Sequence, residues 1–210
     1  MCIVRAMAGA KKAVKAAKSV QRKAKPSRKP DVVKAEPALF DPLTPGEVAD
    51  AVRTLTEDKR AAAMAKVGRY RVICTEPLVL KPPHIMAGHR LARVVAYDYA
   101  TDRAVDACID LDAGVVSHHE TTKGQPMLSR EEEALAVSIA TTDLRVREKL
   151  TISDVAMTTL HYWGRTPADL AFARRSAAVV FGRNDGHATL VVVVDLIDHA
   201  VTQVVPAELW

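Results

Sequence analysis

Two stretches decide how this chain is read: residues 107–120, "ACIDLDAGVVSHHE", and residues 191–204, "VVVVDLIDHAVTQV". Each carries an apolar run into Asp-Leu, turns on acidic or small residues, and leaves through Val-rich residues that give way to polar ones. That is the pattern of strand, tight turn, strand. Asp110 and Asp195 stand 85 positions apart, as do Leu111 and Leu196. The same offset relates "TPGE" at 44–47 to "SREE" at 129–132, and "RLARVVAYD" from Arg90 to "RSAAVVFGR" from Arg175. Four elements in one register, with few identical letters, predict two copies of one unit.

Each copy opens on a helix. Thr44 can cap with its hydroxyl, Pro45 suits the first helical position, and Glu47 can reach back to the cap N–H. Val48, Val52 and Leu55 then form one apolar stripe. Ser129 and Glu132 repeat the capping box, with Leu135 and Ile139 expected on the same face. Asp143 caps a further short helix over "DLRVREKL". Strands follow at "RYRVICTEP" (69–77), "RLARVVAYD" (90–98), "AVDACIDL" (104–111) and "VVSHHETT" (115–122). In the first of these Tyr70, Val72 and Cys74 are expected on one side. The second copy offers "SDVAMTTLHYW", "RSAAVVFGR", the turn "NDG", "HATLVVVVDL" and "HAVTQVVP". A helix on four antiparallel strands, twice, is an α+β architecture. The expected organisation is a basic tail and Pro-rich linker over residues 1–40, then units over 41–124 and 125–210.

An apolar fraction of 49% fills packed cores, and only 4% aromatics means those cores are built from Val, Ala, Leu and Ile. The formal charge of +5 is unevenly held. Residues 1–34 contain eleven Lys or Arg against Asp31 and carry +10, so the remaining 176 residues sum to −5. Lys11, Lys12, Lys15, Lys18, Arg22, Lys23, Lys25, Arg28 and Lys29 form the candidate anion-binding tail. Three readings compete for it: a solvated basic arm, contact with nucleic acid or anionic lipid, and an organelle-targeting peptide. The last is disfavoured by eight Lys to three Arg. No apolar run reaches the roughly 20 residues that span a bilayer, and "MCIV" is too short for a secretory core. The default compartment is cytoplasmic.

Cys2, Cys74 and Cys108 give an odd count without C-x-x-C spacing, against a disulfide framework or structural zinc. Cys74 and Cys108 lie in apolar strand-like runs, where a thiol is expected as a small buried hydrophobe. His118 and His119 follow each other on a strand and point to opposite faces, so one ion is not readily shared. His84 and His89 lie in a Pro-rich loop with no carboxylate at fixed spacing. His161, beside Tyr162 and Trp163, reads as an interface or core-edge residue. No Gly-x-Ser-x-Gly elbow occurs, and "GRNDG" reads as a hairpin turn. Asp106, Asp110 and His119 remain as acid–base candidates for a pocket on a cupped sheet.

Three stretches carry a resemblance. "LFDPLTPGEVADAVRTL" (39–55) resembles the segment of copper amine oxidases in which His-Pro-Leu-Asp-Pro-Leu-Thr precedes a capped helix. "ACIDLDAGVVSHHETTKGQPMLSREEEALAV" (107–137) resembles that family's strand pair followed by Gly-x-Gln-Pro and an acidic helix, and "WGRTPADLAFARRSAAVVFGR" (163–183) a later stretch with an arginine pair before a strand. The resemblance implies the pair of non-catalytic cystatin-like domains that precede the catalytic β-sandwich in those enzymes. The chain departs from the family by stopping at Trp210, without the Thr-x-x-Asn-Tyr quinone motif or the His-x-His copper pair. No cofactor is therefore expected on this chain, copper and topaquinone belonging to a separate catalytic chain. The favoured function is a non-catalytic interaction module that docks on a partner, such as an amine oxidase catalytic chain, or dimerises. The alternatives are a ligand-binding or enzymatic domain using the concave sheet, and an electrostatic adaptor acting through the tail.

Overall fold

The computed structural model describes residues 38–210. The nine basic tail residues named above fall outside the described residues. Residues Pro37–Trp210 form one compact unit. Its elements run α1 (Pro45–Glu57), α2 (Ala62–Val67), β1 (Tyr70–Leu78), β2 (Leu91–Asp98), β3 (Arg103–Asp110), β4 (Val115–Thr122), α3 (Arg130–Thr142), α4 (Leu144–Arg147), β5 (Val155–Tyr162), β6 (Ser176–Gly182), β7 (Ala188–Asp195) and β8 (Ala200–Pro206). A 3₁₀ turn over Ala207–Leu209 follows. The strands make two four-stranded antiparallel meanders, β1-β2-β3-β4 and β5-β6-β7-β8. The fold class is α+β.

Both long helices begin as the sequence predicts. Thr44 Oγ1 accepts from the Glu47 N–H at 3.2 Å while Glu47 Oε2 accepts from the Thr44 N–H at 2.7 Å. Ser129 and Glu132 repeat both bonds, at 3.2 and 2.8 Å. Each helix covers one face of its sheet. α1 buries Ala51 and Leu55 on Ala92, Val94, Ala96, Val105, Ala107 and Ile109. α3 buries Ala136 and Ala140 on Ala177, Val179, Phe181, Leu190, Val192 and Val194. The central strands β2, β3, β6 and β7 are buried at nearly every position, and the residues packed against the helices fall into two separate hydrophobic clusters.

Two expectations about faces need correction. In α3 the fully buried residues are Glu132, Ala136 and Ala140, with Leu135 and Ile139 only half-buried beside them. The helix is rotated by one position because Glu132 must point inward to meet Arg175, and residues four and eight further on follow it. In β1 the pairing with β2 slips between Val72 and Cys74. Tyr70 and Val72 pack on the core, but this bulge turns Cys74 to the other face, where it is exposed. Partial burial and the Glu76 carboxylate still push its thiol up. Cys108 is buried, as expected.

The elements are tied together by two arginines 85 positions apart. Arg90 Nε and Nη2 donate to the two oxygens of Glu47 at 2.8 and 3.2 Å. Its remaining donors reach the carbonyls of Ala38, Leu39, Asp41 and Pro42 at 2.9–3.2 Å. Arg175 grips Glu132 at 2.9 and 2.8 Å and the carbonyls of Pro126 and Met127. In both places one guanidinium joins the sheet, the helix cap and the segment entering that cap. The hydrogen bonds from Arg90, outweighing partial burial, hold the Glu47 carboxyl down to about 2. An unfolded glutamate titrates near about 4.3. The folded value is lower, so the stabilisation is complete above the unfolded value and is lost as pH falls from there toward about 2. Urea titrations across that window are expected to show stability falling less steeply in Glu47→Gln than in the wild type.

The second clasp also joins the halves. The Arg175 guanidinium lies 4.8 Å from the centre of the Tyr97 ring. The Tyr99 hydroxyl donates to Glu132 Oε1 at 2.7 Å, and the two tyrosine rings meet edge-on at 5.4 Å. Arg69 adds a bond to the Ile197 carbonyl at 3.2 Å. Burial and the neighbouring carboxylates raise both tyrosine hydroxyls well above their ordinary range, so both stay protonated donors.

Candidate functional site

The three acid–base candidates do not converge. In β3 the residues Val105, Ala107 and Ile109 face α1, so Asp106 and Asp110 face away. Asp106 is engaged by Arg93, whose Nε lies 3.0 Å from Oδ1, and Arg93 also binds Glu76 at 2.9 Å. His119 pairs with Ala107 and so lies on the helix side of the sheet. The charged trio on the outer face is an ion-pair cluster, one guanidinium between two carboxylates, open to solvent.

The histidine loop does acquire a carboxylate partner, contrary to expectation. His89 Nδ1 lies 2.9 Å from Asp110 Oδ2, and Asp112 brings a third ligand-type atom, all within 4.8 Å of one another. The carboxylates arrive from the β3–β4 turn, 21 residues further on, which no local spacing could reveal. Asp110 Oδ1 accepts from the Asp112 and Ala113 N–H groups at 3.0 and 3.1 Å. Asp195 does the same for Ile197 and Asp198, at 2.7 and 3.1 Å. At the position equivalent to His89 stands Arg174, which pairs with Asp195 and Asp198. The arrangement is therefore a side-chain nitrogen clasp over a buried turn aspartate, made by imidazole in one half and guanidinium in the other. His84 and His118 line a separate crevice with Met86 and Cys108.

What distinguishes the halves is the sheet face away from the helix. On the first sheet it carries Glu76, Arg93, Asp106 and His118. On the second, pairing places Leu160 beside Ala178, Val180 beside Val191, and Val191 and Val193 beside Val205 and Gln203. Chain segments cover part of this apolar face. The loop residue Asp169 accepts from the Tyr162 hydroxyl, from Gln203 Nε2 at 2.7 Å and from the Ala171 N–H at 2.8 Å. Burial and that carboxylate raise the Tyr162 hydroxyl. The Trp210 ring leans on Tyr162 with centroids 5.2 Å apart. Between these covers a groove of about 810 Å³ is left open, lined among others by Leu160, Tyr162, Trp163, Arg165, Leu209 and Trp210. Leu160, Trp163 and Trp210 are 54%, 46% and 53% exposed there, which is a large aromatic surface for water to face.

His161 sits at the rim, 6.3 Å from the Trp163 ring and 3.2 Å from Gln125 Oε1. Burial, then the Arg175 charge, lowers its pKa, so the groove is neutral apart from Arg165. Sequence reading marked His161, Tyr162 and Trp163 as an edge but missed Leu209 and Trp210. The available signal was "VVVV" at 191–194, apolar at both parities, which requires cover on both faces of the strand.

No protein-family model and no curated protein sequence matches the chain. Among solved structures it is similar to a copper-containing benzylamine oxidase from Hansenula polymorpha, with a TM-score of 0.53 at 15% identity. The match covers 80% of this chain and 30% of that one. At this identity the likeness is one of fold. Among the described residues no helix is long and apolar enough to cross a membrane.

Proposed function

We propose that the chain is a non-catalytic interaction module built from two cystatin-like units, 41–124 and 125–210, descended from one ancestor. It docks on a protein partner, a copper-containing amine oxidase chain being the partner class the fold likeness favours. Copper and topaquinone then belong to the partner. The observation that carries the reading is the aromatic groove on the second sheet. Trp163, Trp210 and Leu160 stand in water beside an otherwise neutral apolar face, the composition of an interface centre. The paired contacts of Arg90 with Glu47 and Arg175 with Glu132 support common descent, since two independent folds have no reason to place the same clasp at the same offset.

Affinity capture from the source cells, with wild type and a Trp163→Ala/Trp210→Ala double variant, tests this. The expected result is a captured protein that stains for quinone and contains copper, with retention falling at least about 30-fold in the variant, as for a hot-spot loss. Capture that is unchanged in the variant, or a captured set free of quinone protein, sinks the reading. The +10 charge of residues 1–34 favours a second reading, an electrostatic adaptor for nucleic acid or anionic lipid. That reading requires binding that weakens steeply with salt and disappears when residues 1–34 are deleted.

A further inference from the structure

Four strands form the outer edges of the two sheets, and three of them are blunted. β1 carries Arg71, Glu76 and Pro77, β4 carries His118, His119 and Glu120, and β8 is half-buried along most of its length and ends on Pro206. These are the usual devices against edge-to-edge pairing. β5 reads Val-Ala-Met-Thr-Thr-Leu-His-Tyr, with no proline and no Asp, Glu, Lys or Arg. Val155, Met157 and Leu160 are exposed on it. Its one titratable base, His161, is held toward the neutral form by burial.

We propose that β5 is a self-association strand, and that a second copy of this chain adds its own β5 antiparallel to it, joining two four-stranded sheets into one of eight. This deepens the interaction-module reading and rests on it. A second copy fits because an uncharged edge brings no like-charge repulsion when it meets itself. With β5 centred on Thr159, a two-fold normal to the sheet sets Leu160 beside Thr158 of the second copy, twice per dimer, and brings Met157 beside the second copy's His161 on the α3 side, so that both exposed side chains lie within the new contact. The flank is self-complementary as well. Beside β5 the α3 helix presents Arg130 and Glu133 on one groove wall, followed by Ala134 and Val137. A copy related by a two-fold brings one cation and one anion to a surface that holds one of each. The unpaired N–H and C=O groups of β5 specify an extended backbone as the ligand.

The full chain is expected to sediment as a reversible dimer with a dissociation constant in the range of about 1–100 μM, as for a small interface. Met157→Lys places a lysine on the edge and is expected to weaken the dimer at least about tenfold, an apolar contact being lost and a charge introduced on each side of the dyad. Leu160→Lys does the same from the opposite face of the sheet. Hydrogen exchange on the wild type gives a variant-free reading: amides of β5 gain protection as concentration rises, while those of β1 and β4 do not. A wild type that stays monomeric into the millimolar range, or a dimer indifferent to both lysines, overturns the proposal. So does concentration-dependent protection that falls on another edge. The Trp163→Ala/Trp210→Ala protein separates the two ideas, since it is expected to lose the partner and keep the dimer.

Discussion

Glu132→Ala is expected to cost about 3–5 kcal/mol, the usual penalty for stranding one member of a buried ion pair. Glu132 and Arg175 are both 0% exposed. Removing the carboxylate leaves the guanidinium without a counter-charge and deprives the Tyr99 hydroxyl and the Ser129 N–H of their acceptor. Burial alone would raise the Glu132 pKa, yet the bonds and charge of Arg175 and the Tyr99 hydroxyl hold it low, so the group stays ionised and the pair is genuinely ionic. The equivalent Glu47 is reached by water, its side chain being 17% exposed, and Glu47→Ala is expected to cost less. Urea midpoints at constant m-value measure both. A Glu132→Met/Arg175→Met double variant is expected to recover much of the loss, because desolvation of two charges disappears together with their attraction. A Glu132→Ala protein as stable as the wild type would mean that solvent reaches this junction.

Phe181→Ala is expected to cost about 3–5 kcal/mol, through lost burial and a cavity. Phe181 is the one large ring inside a cluster otherwise made of Ala, Val and Leu. Its neighbours across the strands, Leu190 on β7 and Ala156 on β5, are fixed by pairing. Short branched side chains on a paired sheet cannot swing into the space, so little of the cavity will close. Leu55→Ala, in the other cluster, is expected to cost about 2–5 kcal/mol for the same reason. The two sites share no packing partner, so a double variant should lose the sum to within about 0.5 kcal/mol if the unit unfolds in one step. Thermal and urea unfolding followed by two probes will show whether it does.

Local signals survived the passage from letters to structure. Both capping boxes, the Asp143 cap, the hairpin turn at Gly186 and most strand limits depend on residues a few positions apart, and these were legible. The 85-residue offset was legible because Arg90 and Arg175, Glu47 and Glu132, Asp110 and Asp195 each repeat a contact as well as a letter. What escaped depends on encounters between distant segments. The inward turn of Glu132 is dictated by Arg175, 43 residues later. The bulge after Val72 undid the parity that had placed Cys74 inside. His89 found Asp110 only because the β1–β2 loop folds over a strand end. The groove was half visible: His161, Tyr162 and Trp163 stood out, whereas Leu209 and Trp210 needed the chain end to return across β7.

The turn after β3 and the turn after β7 pass through the same left-handed backbone point, with Gly114 at φ +66° and His199 at φ +53°. Likewise Gly88 at +92° is matched by Ala173 at +54°. Glycine meets that geometry freely, while a residue with a Cβ carries a penalty of roughly 1 kcal/mol. The later half thus places residues with a Cβ at bends where the earlier half has glycine, and the bends keep the same hand. A scaffold that tolerates such strain holds its form by many redundant ties, and it leaves room for His199→Gly or Ala173→Gly to be traded in when an engineer wants a sturdier starting point.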